Sequence, residues 1–409
     1  MATQLQPLLS GEAEKPQGFF NSRLDVLMVA GGHFVHDVFS SFLPIILPLL
    51  IDRLGLSLLA AGTFTLFFRL PTFFSPFIGR LADVRNLGVL AAVAPAITAI
   101  TMSLLGNAPG YASVCALVLV AGISSSTLHV LGPVMIARNA AGRYGSGMGM
   151  WMLGGESARA AGPIFAAWCL TVFAPEKIYP VMIIGILVSL LLLAGRQRTV
   201  GESAGLTDTG ARQSWTALMT RMLPFATAIT TRAAMVGMLV SFLPTYLVTT
   251  GKSLWAGGLA FALLQCGGIF GTLIGGWTGD RYGHRNVLLV AFPVSAVLMA
   301  ALVTVPGRML YPVLILLGVI IFAIAPVILA LVQAAFDKEK GAATGIYTTI
   351  NFGATAIATV LSGWAADRWG FPAAFFLNAA LGIITVPTLL GLGSKRPADP
   401  AVPHTKTNS

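Results

Sequence analysis

Long apolar runs alternate along this chain with short breaks rich in charged residues, proline and glycine. A helix needs about 20 apolar residues to cross a bilayer, and the breaks leave twelve stretches of that order: 24–50, 57–79, 88–106, 111–136, 146–172, 178–195, 222–249, 254–279, 286–306, 309–334, 342–366 and 372–393. The pattern predicts an all-α membrane protein with twelve transmembrane helices. The polar stretch 196–221 mixes charges with Gly, Ser and Thr and reads as a solvated linker. It divides the chain into a tail over 1–23, a six-helix bundle over 24–195, the linker, a second six-helix bundle over 222–393 and a tail over 394–409.

Composition excludes a soluble globular chain: 56% of residues are hydrophobic and 10% charged, and mean hydropathy is +0.82. The net charge of +10 would suit a nucleic-acid binder, but the positions of the charges point elsewhere. With the N-terminus in the cytoplasm, seventeen of the 25 Lys and Arg fall in cytoplasmic tails and loops and five in the opposite loops. The other three, Arg69, Arg159 and Arg232, lie inside the membrane. This is the positive-inside asymmetry of an even number of spans with both termini cytoplasmic. A multi-pass protein of the bacterial inner membrane is expected, monomeric and without a nucleic-acid partner. Cys115, Cys169 and Cys266 sit in apolar helices and read as small hydrophobes. The first twenty residues are polar and the first apolar run carries His33, His36 and Asp37, which argues against a cleaved signal peptide.

The two halves repeat one another. Ser41-Phe42-Leu43-Pro44 recurs as Ser241-Phe242-Leu243-Pro244, and Ser57-Leu58-Leu59-Ala60-Ala61-Gly62 is answered by Ser253-Leu254-Trp255-Ala256-Gly257-Gly258. Gly79 to Asp83, GRLAD, is answered by Gly276 to Asp280, within the polar stretch GGWTGDRYGHR of Gly275 to Arg285. Three landmarks in one order, each close to 200 residues on, indicate duplication. On these landmarks the chain resembles the major facilitator superfamily, whose two pseudo-symmetric six-helix bundles hold substrate near the membrane midplane. The family's loop signature is matched by Gly276, Asp280, Arg281, Gly283 and Arg285. The first-half copy keeps Gly79, Asp83 and Arg85 but has Val84 and Asn86 where a basic residue and Gly belong. A Gly-rich antiporter motif is met in part by Gly145, Gly154, Gly162 and Pro163, with Ala158 replacing one Gly. Within the superfamily, GHFVHDVFSSFLP at Gly32 to Pro44, RLPTFFSPFIGRLAD at Arg69 to Asp83, His129 and GRYG at Gly142 to Gly145 resemble the fosmidomycin-resistance group of drug exporters.

The loop signature also has a physical reading. A carboxylate at the end of a helix can accept from the free N–H groups that open a neighbouring helix, where the dipole is positive. Asp280 is thereby expected to latch one conformation, with Arg281 and Arg285 bridging to acidic partners or headgroups.

Inside the membrane, each charged side chain costs about 2.5–3.5 kcal/mol at a helix centre, so Asp37, Arg69, Glu156, Arg159 and Arg232 cost on the order of 15 kcal/mol before pairing. His33, His36, Asp37, Ser40 and Ser41 form a polar stripe on the first helix, and Glu156 can pair with Arg159 across one turn. Asp37 and Glu156 are the candidate proton carriers, with His33, His36 and His129 able to share the task. Three Arg against two carboxylates favour an anionic substrate. Phe39, Ser40, Phe68, Trp151, Tyr246, Gln265, Gln333, Tyr347 and Asn351 are the candidate cavity lining.

Other chemistries lack their motifs. TTGKS at Thr249 to Ser253 has Tyr246 where a phosphate loop needs Gly, Gly122 to Ser126 fails the nucleophile elbow at its fifth residue, and metal-type His/Cys spacing is missing. The sequence therefore implies no enzyme, no metal and no cofactor. It implies a proton-coupled exporter of small amphipathic or anionic compounds, with import of an organic acid as the alternative and a non-transporting membrane sensor as a third reading.

Overall fold

The computed structural model describes residues 22–85, 87–139, 144–196, 215–336 and 340–391, and among them it contains helices and turns and no strand. Both tails and most of the linker lie outside the described residues. In lipid every backbone donor and acceptor must be satisfied within the segment, which a helix does.

Two broken helices open the first half. α1 (Ser22–Ser40) and α2 (Phe42–Leu54) form one span, and α3 (Leu58–Arg69) and α4 (Ser75–Val84) the next. Prolines explain the breaks, because each removes a backbone donor. Pro44 follows the Ser41 break, and Pro71 sits in the 3-10 turn Leu70–Phe74 between α3 and α4. Then come α5 (Gly88–Ser103), α6 (Tyr111–Asn139), α7 (Tyr144–Val172) and α8 (Ile183–Arg196). The second half comprises α9 (Trp215–Thr249), α10 (Leu254–Tyr282), α11 (His284–Ala301), α12 (Leu310–Ala335), α13 (Lys340–Ile384) and α14 (Val386–Leu390). α13 is two spans joined at Gly370, where φ is 82°. Nine segments among the described residues are long and apolar enough to cross a membrane. One of these, Ala343–Leu390, holds both spans of α13. The shorter apolar stretch Leu58–Phe74 and α7, which carries Glu156 and Arg159, complete the twelve-helix arrangement.

The expected linker is too long at its second end. Residues 215–221 are the first turns of α9, since Leu218 and Met222 are buried and Arg221 lies 4.5 Å over the Phe336 ring while donating to the Ala335 carbonyl at 2.6 Å. The repeat, by contrast, is visible in the turns. Gly55 (φ 61°) and Gly251 (φ 84°) are followed by Ser57 and Ser253. Each serine Oγ accepts from the N–H three residues on and so caps α3 or α10.

Small residues set the helix contacts. Gly267, Gly271 and Gly275 bring α10 against the carbonyls of Ile315, Val319 and Ala323 on α12. Gly154 and Gly162 bring α7 against Ala30 and Val38 on α1. Contacts between the halves gather at the end carrying the 55–57 and 250–253 turns. There Gly62 abuts the Thr359 carbonyl, Gly363 abuts the Leu58 carbonyl, and Gly258 lies against Pro163 and Ala167. Thr65 and Ser241 hydroxyls bond at 3.1 Å. Asp367 accepts from the N–H groups of Leu58 and Leu59, both at 2.8 Å, so a carboxylate of the second half caps a helix of the first. Asp367 also belongs to a second copy of the loop motif: Gly276 to Gly283 reads GWTGDRYG and Gly363 to Gly370 reads GWAADRWG. Both copies end on a glycine of positive φ, 87° at Gly283 and 82° at Gly370.

Candidate functional site

Between the halves, at the depth of the proline breaks, lies a cavity of about 450 Å³. From the first half it is lined by His33, Asp37 and Ser40 of α1, Phe68 and Arg69 of α3, His129 of α6, and Trp151, Glu156 and Arg159 of α7. Arg232, Gln265 and Asn351 come from the second half. Seven of the eight intramembrane residues singled out from sequence converge here.

Charge is distributed unequally. Glu156 pairs with Arg159 one turn away on α7. Asp37 is met by imidazoles rather than by Arg69: His33 Nε2 lies 3.3 Å from one carboxylate oxygen and His129 Nε2 3.7 Å from the other. The His33 ring stacks on Trp151 at 3.8 Å with 13° between the planes, and its Nδ1 donates to the Trp151 carbonyl at 3.0 Å. Gly132 leaves the space that the indole fills. Arg69 has no ion-pair partner among the described residues. It lies 4.7 Å over the Phe352 ring of the second half, with its Nε buried and without a hydrogen bond. Arg232, 7% exposed, donates to Asn351 Oδ1 at 3.2 Å, and its Nε is likewise buried without a partner.

Five expected residues sit elsewhere. His36 is fully buried behind the cavity wall, its Nδ1 3.0 Å from Thr98 Oγ1. Phe39 packs against Phe42 and Phe165 in the core, and Tyr246 packs against Phe371 and Phe375. Gln333 Nε2 faces Thr344 Oγ1 at 3.5 Å, and Tyr347 lies against the core. In a chain this apolar, an aromatic at the interface with the cavity and one in the core have the same sequence neighbourhood. The cavity also takes Thr65, Ser125, Phe261, Phe322 and Thr355, which no charge marks in the sequence.

At the loop motif, Asp280 does not cap a neighbouring helix. Its side chain is 80% exposed and faces His284 at 3.6 Å. Arg281 lies over Trp277 and Tyr282 of its own helix, while Arg285 donates to the Leu389 and Leu390 carbonyls that end α14. Gly276 touches nothing across a helix interface, whereas its neighbour Gly275 does. In the first half, Gly79 faces Val130 of α6 and Arg85 is exposed; the side chain of Asp83 lies outside the described ones. Gly145 is in the first turn of α7, and the Pro163 carbonyl meets Gly258.

Two six-helix halves around a cavity ringed by buried charge define a membrane transporter of small molecules, not an enzyme. The chain matches the Major Facilitator Superfamily over residues 29–358 and 323–408 and belongs to that family. It is 25% identical over 384 residues to the uncharacterized MFS-type transporter YfnC of Bacillus subtilis (strain 168), covering 88% of this chain and 91% of that protein. It is 20% identical over 403 residues to the fosmidomycin resistance protein of Escherichia coli (strain K12), covering 95% and 97%. Among solved structures, a bacterial homologue of the human lysosomal transporter Spinster, inward-facing and occupied, superposes with a TM-score of 0.74 at 13% identity over 94% of this chain and all of that one. The D323A mutant of the nucleoside transporter NupG superposes at 0.72 with 17% identity over 91% and 100%.

Proposed function

We propose that this transporter exports small anionic or amphipathic compounds in exchange for protons, by alternating access of the central cavity. The observation that carries the substrate class is the pair Arg69 and Arg232. They stand on opposite halves, face one cavity, lack carboxylate partners among the described residues, and each keep a buried Nε without a hydrogen bond. An acid group bound between them satisfies both donors and draws the halves together.

Coupling is assigned to Glu156. It is the cavity carboxylate held by a guanidinium, so a proton taken up in the outward-open state dissolves that pair and favours release of the substrate. Loss of the proton to the cytoplasm restores the pair for the next substrate; proton and substrate thus exclude one another, as exchange requires. Arg159 shares the cavity with Asp37 and His33 of α1, His129 of α6, Arg69 of α3 and Arg232 of α9. The interhalf contacts at the 55–57 and 250–253 end, together with the positive-inside count, support a state open to the cytoplasm, in a bacterial inner membrane with both termini cytoplasmic. Export rather than import is favoured by the partial antiporter motif on α7 and by the name borne by the Escherichia coli relative. The test is transport in proteoliposomes under an imposed pH gradient. Glu156→Gln should abolish gradient-driven accumulation while substrate exchange persists, and unchanged coupling in that variant overturns the assignment. Arg232→Gln should raise the substrate concentration for half-maximal transport at least tenfold.

A further inference from the structure

We propose that His33, Asp37 and His129 form a binding site for a divalent first-row transition-metal ion, zinc fitting best, with one coordination position open to the cavity. The ligand atoms come from α1 and α6 and all lie within 4.8 Å of one another. His33 Nε2 stands 3.3 Å from Asp37 Oδ2 and 3.4 Å from His129 Nε2, and His129 Nε2 stands 3.7 Å from Asp37 Oδ1. These separations exceed the usual 2.7–3.2 Å of a direct N–H···O bond. The two His33 separations equal the edge of a coordination tetrahedron, since ligand distances of 2.0–2.1 Å place neighbouring donor atoms about 3.3–3.4 Å apart, while the His129 contact, to the other Asp37 oxygen, is wider at 3.7 Å.

The direction of the ring protons points the same way. His33 Nδ1 faces the Trp151 carbonyl at 3.0 Å and His129 Nδ1 faces the Ser125 carbonyl at 2.8 Å. A carbonyl only accepts, so in both neutral rings the proton is on Nδ1 and the Nε2 lone pair is bare. His36 repeats the pattern. Thr98 gives its own proton to Ser124, so its oxygen takes that of His36 Nδ1. The buried His36 Nε2 then has no hydrogen-bond partner and lies 3.9 Å from Asp37 Oδ1. With all three rings neutral, three imidazole lone pairs face one carboxylate, and either an added proton on a ring Nε2 or a shared cation relieves that arrangement. A cation bound to His33, Asp37 and His129 at once resolves that arrangement.

Main-chain carbonyls that hold the far nitrogen of a ligating histidine fix its tautomer and ring orientation, as in known metal sites. Stacking on Trp151 holds the His33 ring further. Three protein ligands with a fourth place left open is the pattern of sites that bind an exchangeable group. The His129 side chain is 46% exposed to the cavity, which leaves that place reachable.

The test uses the purified full-length transporter with its affinity tag removed, titrated with zinc by calorimetry and with cobalt by absorption. One zinc per chain at micromolar affinity, with cobalt bands of a four-coordinate nitrogen and oxygen site, is expected. Asp37→Asn and His129→Ala should each weaken binding at least tenfold, whereas Glu156→Gln and His284→Ala should leave it unchanged. His129→Cys, which keeps a ligand, should retain zinc and add a sulfur-to-cobalt absorption band. Thermal unfolding without metal identifies any variant that has lost its fold. Absence of zinc binding at millimolar concentration, or equal binding by the Asp37→Asn, His129→Ala and unmodified proteins, overturns the proposal. Proton-driven transport in the presence of a chelator reads the function proposed above independently, so the two fail separately.

Discussion

Asp280 and Asp367 occupy the same place in two copies of one octapeptide, at opposite ends of the second half, and they are in opposite states. Asp367 caps α3 through the N–H groups of Leu58 and Leu59, whereas Asp280 is 80% exposed beside His284 of its own chain segment. The local chemistry is shared: Gly, Trp, two variable residues, Asp, Arg, an aromatic, and a glycine of positive φ. What differs is whether the other half of the molecule lies within reach. We propose that a helix-capping carboxylate in this fold acts as a latch, made when its end is closed and idle when it is open.

The strongest way to break the comparison is at the closed end itself. Gly363 abuts the Leu58 carbonyl, and valine there overpacks a backbone contact at about 1–3 kcal/mol. On a background with Cys115, Cys169 and Cys266 replaced, Gly363→Val should raise the reactivity of a cysteine at Ser241 toward an impermeant thiol reagent on the order of tenfold or more. The turn glycines come next. Gly283→Ala and Gly370→Ala force a side chain into positive φ, at about 1–3 kcal/mol each. Thermal unfolding in detergent should show similar losses, and a large inequality would mean the two turns are not equivalent. Asp367→Asn removes a charged cap worth about 1 kcal/mol and should shift Ser241 accessibility roughly fivefold. Asp280→Asn, in the state described, should change the same measurement by less than twofold. A larger effect from Asp280 than from Asp367 would reverse the assignment of which latch is closed.

Much of this architecture is legible in the apolar runs and their breaks, because hydrocarbon leaves the backbone few options. The cavity charges are legible for a related reason: Asp37, Arg69, Glu156, Arg159 and Arg232 are costly in lipid, and the fold gathers all of them at one place. Phe39 and Tyr246 were not separable from lining residues, since both environments are apolar and only packing decides. The Asp37 surroundings were half visible. His33 stands one turn away in sequence, but His129 arrives from another helix, so the spacing of metal or proton ligands could not be seen along the chain. The second octapeptide is plain in the sequence, but both copies lie in the same half and so are not part of the duplication that relates the halves.

Of the six tryptophans whose side chains are described, Trp151 is the one that is buried, 3% exposed, while Trp168, Trp255, Trp277, Trp364 and Trp369 are all more than 40% exposed. Its indole is stacked on His33, whose ring nitrogen looks into the cavity. The molecule thus carries an internal fluorophore at its functional centre, set apart by environment from the peripheral indoles. Its emission should therefore change with whatever the neighbouring imidazole holds, which offers an optical readout of cavity occupancy without a label.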